Sequence, residues 1–221
     1  MLLLATDTSG KFGSIALADC GPGDDCRILE VVPLTGGTFS AQLVPQIAAL
    51  LEKHGFTKRD IAAFSVASGP GSFTGLRVGL AAIKALAEVL QKPIAAISLL
   101  QAVAESSDSK AKALAVLDAG RNEVFVGEFE TADNTTHVST ETLMTREELL
   151  SSNRMLVTPD QQISEAATIR GLPVEHVAAP RSDFIARIGW RKIRRRQTIS
   201  PEDLEANYIR RSDAEIFSKK Q

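Results

Sequence analysis

The segment of this sequence best suited to chemistry is Ser68-Gly69-Pro70-Gly71-Ser72-Phe73-Thr74-Gly75. A glycine-rich turn that enters a helix can present backbone N–H groups to a phosphate, because the first helical amides lack internal partners. Two standard phosphate motifs do not fit it. A P-loop needs a lysine after its last glycine, and this loop has none. The dinucleotide fingerprint needs glycine at the sixth place counted from Gly69, where Thr74 stands. A tight turn with unusual backbone angles accounts for the same residues. In the helix that follows, Gly75 and Gly79 lie one turn apart with Ile83 next on the row, while Arg77 and Lys84 lie off it. Each interior glycine costs about 1 kcal/mol relative to alanine, so the row points to a close approach by another helix, from this chain or from another subunit.

Strand-end carboxylates are the second candidate. Asp7 closes the apolar run Leu2–Thr6, and Asp118 closes Ala113–Leu117. Asp7 resembles the metal-coordinating aspartate of the actin-like ATPases, which implies a magnesium–nucleotide cleft with Asp118 as second carboxylate, while each alone suits an ordinary turn. His54, His137 and His176 show no HxxxH or HExxH spacing, so they read as surface histidines. No GxSxG elbow is present, and neither Cys20 nor Cys26 has a histidine placed to activate it. Two cysteines across a Gly/Asp-rich stretch support neither a disulfide framework nor a CxxC redox or zinc site. Arg187, Arg191, Lys192, Arg194, Arg195 and Arg196 place six cations in ten residues, with Phe184, Ile185, Ile188 and Ile193 giving an apolar side. That pattern suits contact with RNA phosphates, or a solvated helix whose basic end complements its dipole.

The elements that must position these residues follow from the apolar pattern. Leu2–Thr6, Ser14–Ala18 and Ile28–Leu34 are apolar runs separated by Gly- and Asp-rich turns, which predicts an antiparallel meander. Ser40 is a candidate cap for a helix carrying Leu43, Ile47, Leu50 and Leu51 at helical spacing, stopped by Gly55. A strand over 60–67, a helix over 74–91 ended before Pro93, a strand over 94–97 and a helix from Ser98 to about 106 complete a β-β-β-α-β-α-β-α order. That order is the ribonuclease H-like pattern, also the repeating unit of the actin-like ATPases. After a polar stretch at 106–112, strands at 113–117 and 123–129, a polar turn at 131–136, a strand at 155–157 and helices at 146–150 and 161–170 suggest a reduced second copy. The last helix, 183–196, returns to the first. The domains expected are therefore 1–106 with about 183–221, and 107–182.

The chain has 221 residues, 44% hydrophobic and 24% charged, as in globular domains. Its formal charge of −2 and 5% aromatic content argue against a general nucleic-acid binder with stacking platforms. No window approaches about 20 uninterrupted apolar residues. The opening residues lack the basic region of a signal peptide, so a cytoplasmic protein with no membrane contact is expected.

The 68–79 string, Ser-Gly-Pro-Gly-Ser-Phe-Thr-Gly-Leu-Arg-Val-Gly, resembles the signature of the TsaB (YeaZ) family, which belongs to a glycoprotease-like superfamily. Leu4-Ala5-Thr6-Asp7-Thr8-Ser9 is similar to that family's first strand, 117–125 to its Asp-Ala-Arg and Glu-Val segment with Gly120 inserted, and Asn207-Tyr208-Ile209-Arg210 to its terminus. The run Thr38-Phe39-Ser40 departs from the family's His-Ser. The resemblance implies an actin-like (ASKHA) fold of two ribonuclease H-like units. It implies a non-catalytic subunit for N6-threonylcarbamoyladenosine formation in tRNAs reading codons that begin with A. In that family the catalytic paralogue is TsaD, which holds a metal through two histidines four residues apart, and the ATPase TsaE joins the complex. Ser98 and Ala102 stand at the matching places here, and neither replaces an imidazole.

The implied partner surface comprises the helices over 40–54 and 74–91, with Leu43, Ile47, Leu50, Gly71, Phe73, Thr74, Gly75, Arg77, Gly79 and Ile83. It binds TsaD, or a second copy of the chain when TsaD is absent. No cofactor is expected on the chain alone, ATP or ADP only in the complex, and tRNA indirectly through the complex. Further site candidates are Asp7 and Asp118 for a nucleotide and Arg187, Arg191, Arg194 and Arg195 for RNA. The alternative reading is a small actin-like phosphotransferase using the two aspartates.

Overall fold

A computed structural model describes residues 1–108, 112–132 and 135–209. The chain divides into two compact units, Met1–Leu99 with Pro180–Ala206, and Leu100–Ala179 with Asn207–Gln221. These boundaries differ from 106/107 and 182/183. The helix after residue 98 belongs to the second unit because Leu100, Val103 and Ala104 are buried there among Ala113, Ala115 and Phe125. The chain from Asn207 also joins the second unit: the Asn207 amide donates to Glu141, and Ile209 packs on the same core.

The first unit contains β1 (Leu2–Asp7), β2 (Phe12–Cys20), β3 (Cys26–Thr35), α1 (Phe39–Lys53), β4 (Ile61–Gly69), α2 (Phe73–Leu90) and β5 (Ile94–Ser98), in that order. Its sheet runs β3-β2-β1-β4-β5, with the meander antiparallel and β4 and β5 added parallel. Helix α1 starts one residue before Ser40, with Thr38 at the cap position, so the residue expected to cap it lies inside the first turn. Ser72 caps α2 by accepting from the Gly75 N–H.

One face of this sheet is aliphatic. Leu2, Leu4, Ile15 and Leu17 pack with Leu43, Ile47 and Leu50 of α1 and Leu76, Leu80 and Ile83 of α2. Each fully buried aliphatic side chain of this kind contributes about 1.5–3 kcal/mol. The other face is covered by the returning helix, named α6 below (Ser182–Arg194), which packs on β1, β2, β4 and β5. There the sheet presents small side chains. Ser65 Oγ donates to the Ile185 carbonyl at 2.9 Å, and Ser14 Oγ accepts from the Ser182 N–H at 3.0 Å. A Cβ on Gly189 would collide with Ser65 Oγ, so the glycine lets the helix lie directly on the strands.

The second unit contains α3 (Leu99–Glu105), β6 (Ala113–Gly120), β7 (Glu123–Ala132), β8 (Thr135–Thr145), α4 (Arg146–Leu150), β9 (Leu156–Thr158), α5 (Gln161–Ile169) and β10 (Val174–His176). Its order, β10-β9-β6-β7-β8, repeats the first unit's pattern of an antiparallel meander extended by parallel strands. The sequence pattern reads 131–136 as a turn and leaves the rest of β8 unassigned. This strand is long and threonine-rich and pairs with β7 along its length. Its β-branched polar residues suit a half-exposed edge but carry little apolar alternation. Arg121 and Asn122, both at positive φ, close the β6–β7 hairpin as the mirror-image turn that matches strand twist.

Candidate functional site

In the first unit the turn after β1 and the glycine-rich turn after β4 are locked together. The Ser72 N–H donates to the Ser9 carbonyl at 2.6 Å, and Thr8 Oγ1 donates to the Gly75 carbonyl at 2.8 Å. A Cβ on Gly75 would collide with the Thr8 carbonyl, and one on Gly79 with Thr8 Oγ1. The glycine row therefore receives the Thr8 turn of its own unit. It is not the seat for a partner helix that the spacing suggested. Two of the loop's N–H groups are also engaged, since Ser72 N serves Ser9 and Gly75 N is capped by Ser72 Oγ at 3.3 Å. That leaves the phosphate reading without two of its donors.

The predicted partner surface divides in two. Leu43, Ile47, Leu50 and Ile83 are at most 4% exposed and form the first unit's core, so they cannot meet another protein. The same apolar periodicity marks a core-facing stripe and an interface stripe, and here it marks the core. Gly71, Phe73, Thr74 and Arg77 are at the surface, with the Arg77 guanidinium 3.7 Å from the centre of the Phe73 ring. The sequence reading missed the solvent face of the two helices. On α2, Ala81, Ala85 and Val89 recur every fourth residue and are exposed; on α1, Ala41, Val44, Pro45 and Ala48 are exposed. The available signal was the small size of these residues where a solvated helix usually carries charge.

Each strand-end aspartate is satisfied inside its own unit. Asp7 is buried and accepts from the Ser9 N–H at 2.9 Å and Ser9 Oγ at 2.6 Å. Burial pushes its carboxyl above the usual range, against the lowering effect of the two Ser9 bonds. Asp118 pairs with Arg146 at 2.9 Å and accepts from the Gly120 N–H at 3.2 Å. A carboxylate already neutralised by a guanidinium is a poor magnesium ligand. No group of three or more His, Cys, Asp or Glu able to hold a metal occurs among the described residues. His54 Nε2 lies 2.8 Å from Glu30 Oε2, and His176 ends β10 at the surface; the His137 side chain falls outside the described residues.

The basic helix is largely turned to internal work. Arg187 donates to the Cys26 carbonyl at 3.0 Å, Arg194 pairs with Asp24 at 3.0 Å, and Lys192 donates to the Ala96 carbonyl at 3.1 Å. Trp190 Nε1 donates to the Gly23 carbonyl at 3.0 Å. Of the four arginines expected to meet RNA, Arg187 and Arg194 thus clamp the β2–β3 turn, Arg191 is half-buried, and Arg195 is exposed.

Two units that each repeat a meander with parallel extensions define an actin-like α/β protein of two ribonuclease H-like units. The family described as TsaD: tRNA N6-adenosine threonylcarbamoyltransferase matches residues 31–186. The tRNA threonylcarbamoyladenosine biosynthesis protein TsaB of Bacillus subtilis is 32% identical over 131 residues, 59% of this chain and 56% of the relative. Its Escherichia coli counterpart is 29% identical over 137 residues, 61% of this chain and 57% of the relative. A Pseudomonas aeruginosa crystal structure, described as similar to peptidase YEAZ, superposes with TM-score 0.76 at 22% identity. That match covers 95% of this chain and 99% of that one. The chain belongs to the family that this model describes, and the curated relatives named here are TsaB proteins. It spans somewhat more than half the length of the curated relatives it matches. No described helix is long and apolar enough to cross a membrane.

Proposed function

We propose that this chain is a non-catalytic subunit in the formation of N6-threonylcarbamoyladenosine on tRNA. It binds and activates the catalytic paralogue TsaD in the cytoplasm, with the ATPase TsaE joining the pair. The observation that carries this reading is the solvent face of α1 and α2, where Val44, Ala81, Ala85 and Val89 stay exposed while the opposite faces fill the core. Helices of 15 and 18 residues are about 22 and 27 Å long. A specific interface needs about 800 Å² from each partner, and two such helices side by side can provide it. Small side chains let a partner's helices approach closely, and TsaD's active geometry is populated only when that contact forms. Without TsaD the same face pairs with a second copy. Two features support the non-catalytic role. Ala102, at the place of a metal-binding histidine in TsaD, is fully buried, and both strand-end aspartates are engaged.

The test is reconstitution with TsaD, TsaE, threonylcarbamoyl-adenylate and tRNA. Modified tRNA is expected only when this chain is present, and equal modification without it overturns the proposal. Ala85→Arg places a charged side chain on the exposed row without touching the core. It is expected to weaken TsaD binding at least tenfold while leaving the melting temperature unchanged. Unchanged affinity would remove this face from the interface.

A further inference from the structure

Cys20 and Cys26 end the two strands of the β2–β3 hairpin and face each other directly across it. Both are free thiols and both are buried. The Gly21 N–H donates to the Asp25 carbonyl at 3.0 Å, so residues 21 and 25 form the hydrogen-bonded pair. The Cys20–Cys26 pair beside them is therefore of the non-hydrogen-bonded kind. Such pairs bring Cα atoms to about 4.5 Å with side chains on one face of the sheet. That spacing falls at the short end of the range a disulfide tolerates.

The surroundings also favour bond formation. The hydrogen bond from Cys20 and the charge of Arg187, whose guanidinium bonds the Cys26 carbonyl, lower the Cys26 thiol against its burial. Hydrogen bonding to Cys26 and burial push the Cys20 thiol up. The two sulfurs are thus unlike: Cys26 is the better nucleophile and Cys20 keeps its proton. The intervening turn is exposed at Pro22, Asp24 and Asp25, which gives a small oxidant a short path.

We infer that Cys20 and Cys26 form a reversible oxidation site, a dithiol that a hydroperoxide converts to a cross-strand disulfide. The Cys26 thiolate attacks one peroxide oxygen, the O–O bond breaks, and hydroxide leaves; Cys26 becomes a sulfenic acid. The Cys20 sulfur then attacks the Cys26 sulfur. The S–S bond forms, the S–O bond breaks, and the departing hydroxyl takes the Cys20 proton as water. Both sulfurs are oxidised and the peroxide is reduced to water; a dithiol reductant reverses the change. The new bond staples the base of a turn that α6 already holds through Arg187, Trp190 and Arg194. Oxidation thereby stiffens the seat of α6.

The experiment uses the reduced full-length chain. It is exposed to hydrogen peroxide, its remaining thiols are alkylated, and it is digested with trypsin. Both cysteines lie in the single peptide Phe12–Arg27. That peptide is expected unalkylated and two hydrogens lighter, with full alkylation restored after dithiothreitol. The thermal midpoint of the oxidised protein is expected to rise by about 5 °C and to return on reduction. In Cys20→Ser, which lacks the resolving thiol, a sulfenic acid on Cys26 is expected to be trapped by dimedone. Two alkylated cysteines after peroxide, oxidation straight to sulfinic acid, or a link between two chains would each overturn the inference.

Discussion

Asp7 and Asp118 stand near the ends of corresponding strands, Asp7 last in β1 and Asp118 two residues before the end of β6, yet they sit in opposite environments. Asp7 is buried and, among the described residues, is answered by the neutral donors of Ser9. The loop that carries it is wedged against the glycine row of α2. Asp118 is partly exposed and answered by the full charge of Arg146. A strand-end aspartate is thus a topological habit of the repeated unit, and its chemistry is set by what the following loop packs against. In the first unit that loop is part of the core, whereas in the second it is a hairpin turn at the surface.

The comparison can be broken most severely at the glycine row. Gly79→Val forces branched atoms into Thr8 and is expected to destabilise the first unit by about 3 kcal/mol in urea unfolding. Hydrogen exchange in β6 and β7 should be unaffected. A loss below about 1 kcal/mol would mean that the Thr8 turn yields easily and is not wedged. Thr8→Val keeps the shape and removes the hydroxyl bonded to the Gly75 carbonyl. A loss of about 1 kcal/mol is expected by the same measurement.

At the second aspartate the expected effect is smaller. Asp118→Ala deletes a partly exposed pair and should cost under about 1 kcal/mol, less still in high salt. A larger, salt-independent loss would show that the pair is as integral as the first unit's turn.

The smallest effect separates the two aspartates by pH. The Asp7 carboxyl in the folded chain holds its proton to a higher pH than the ordinary value of 3.8. Above 3.8 this carboxyl therefore binds more proton in the folded state than in the unfolded one, and its own contribution to stability falls as pH rises through its folded value. Asp7→Asn keeps an acceptor for Ser9 and removes that dependence, so denaturation at pH 4.5 and pH 7 should show a flatter profile than the parent. Equal slopes would place the Asp7 carboxyl in the ordinary range.

Much of the fold was legible because its apolar patterning is regular. The meander over β1–β3, the strand–glycine turn–helix from β4 into α2, and the short helices α4 and α5 follow directly from runs, caps and breakers. The site was less legible, and the reason is geometric. Periodicity shows that Leu43, Ile47, Leu50 and Ile83 share faces, but not whether those faces meet a sheet or a partner. Composition marks α6 as basic, yet Arg187 and Arg194 reach back more than 160 residues to the β2–β3 turn. The facing of Cys20 and Cys26 depends on strand register, which shifts between Leu17 and Ala18 and is invisible in the spacing of two cysteines.

Trp190 is the chain's single tryptophan, and it is 5% exposed with its indole N–H bonded to the Gly23 carbonyl. Excitation near the red edge of the protein's absorbance therefore reports fluorescence from the seat of α6 and from nowhere in the second unit. The molecule carries its own optical label for one of its two units. A melt followed by emission reads the first unit, a melt followed by far-ultraviolet ellipticity reads both, and the gap between the two curves measures how far the units unfold as one.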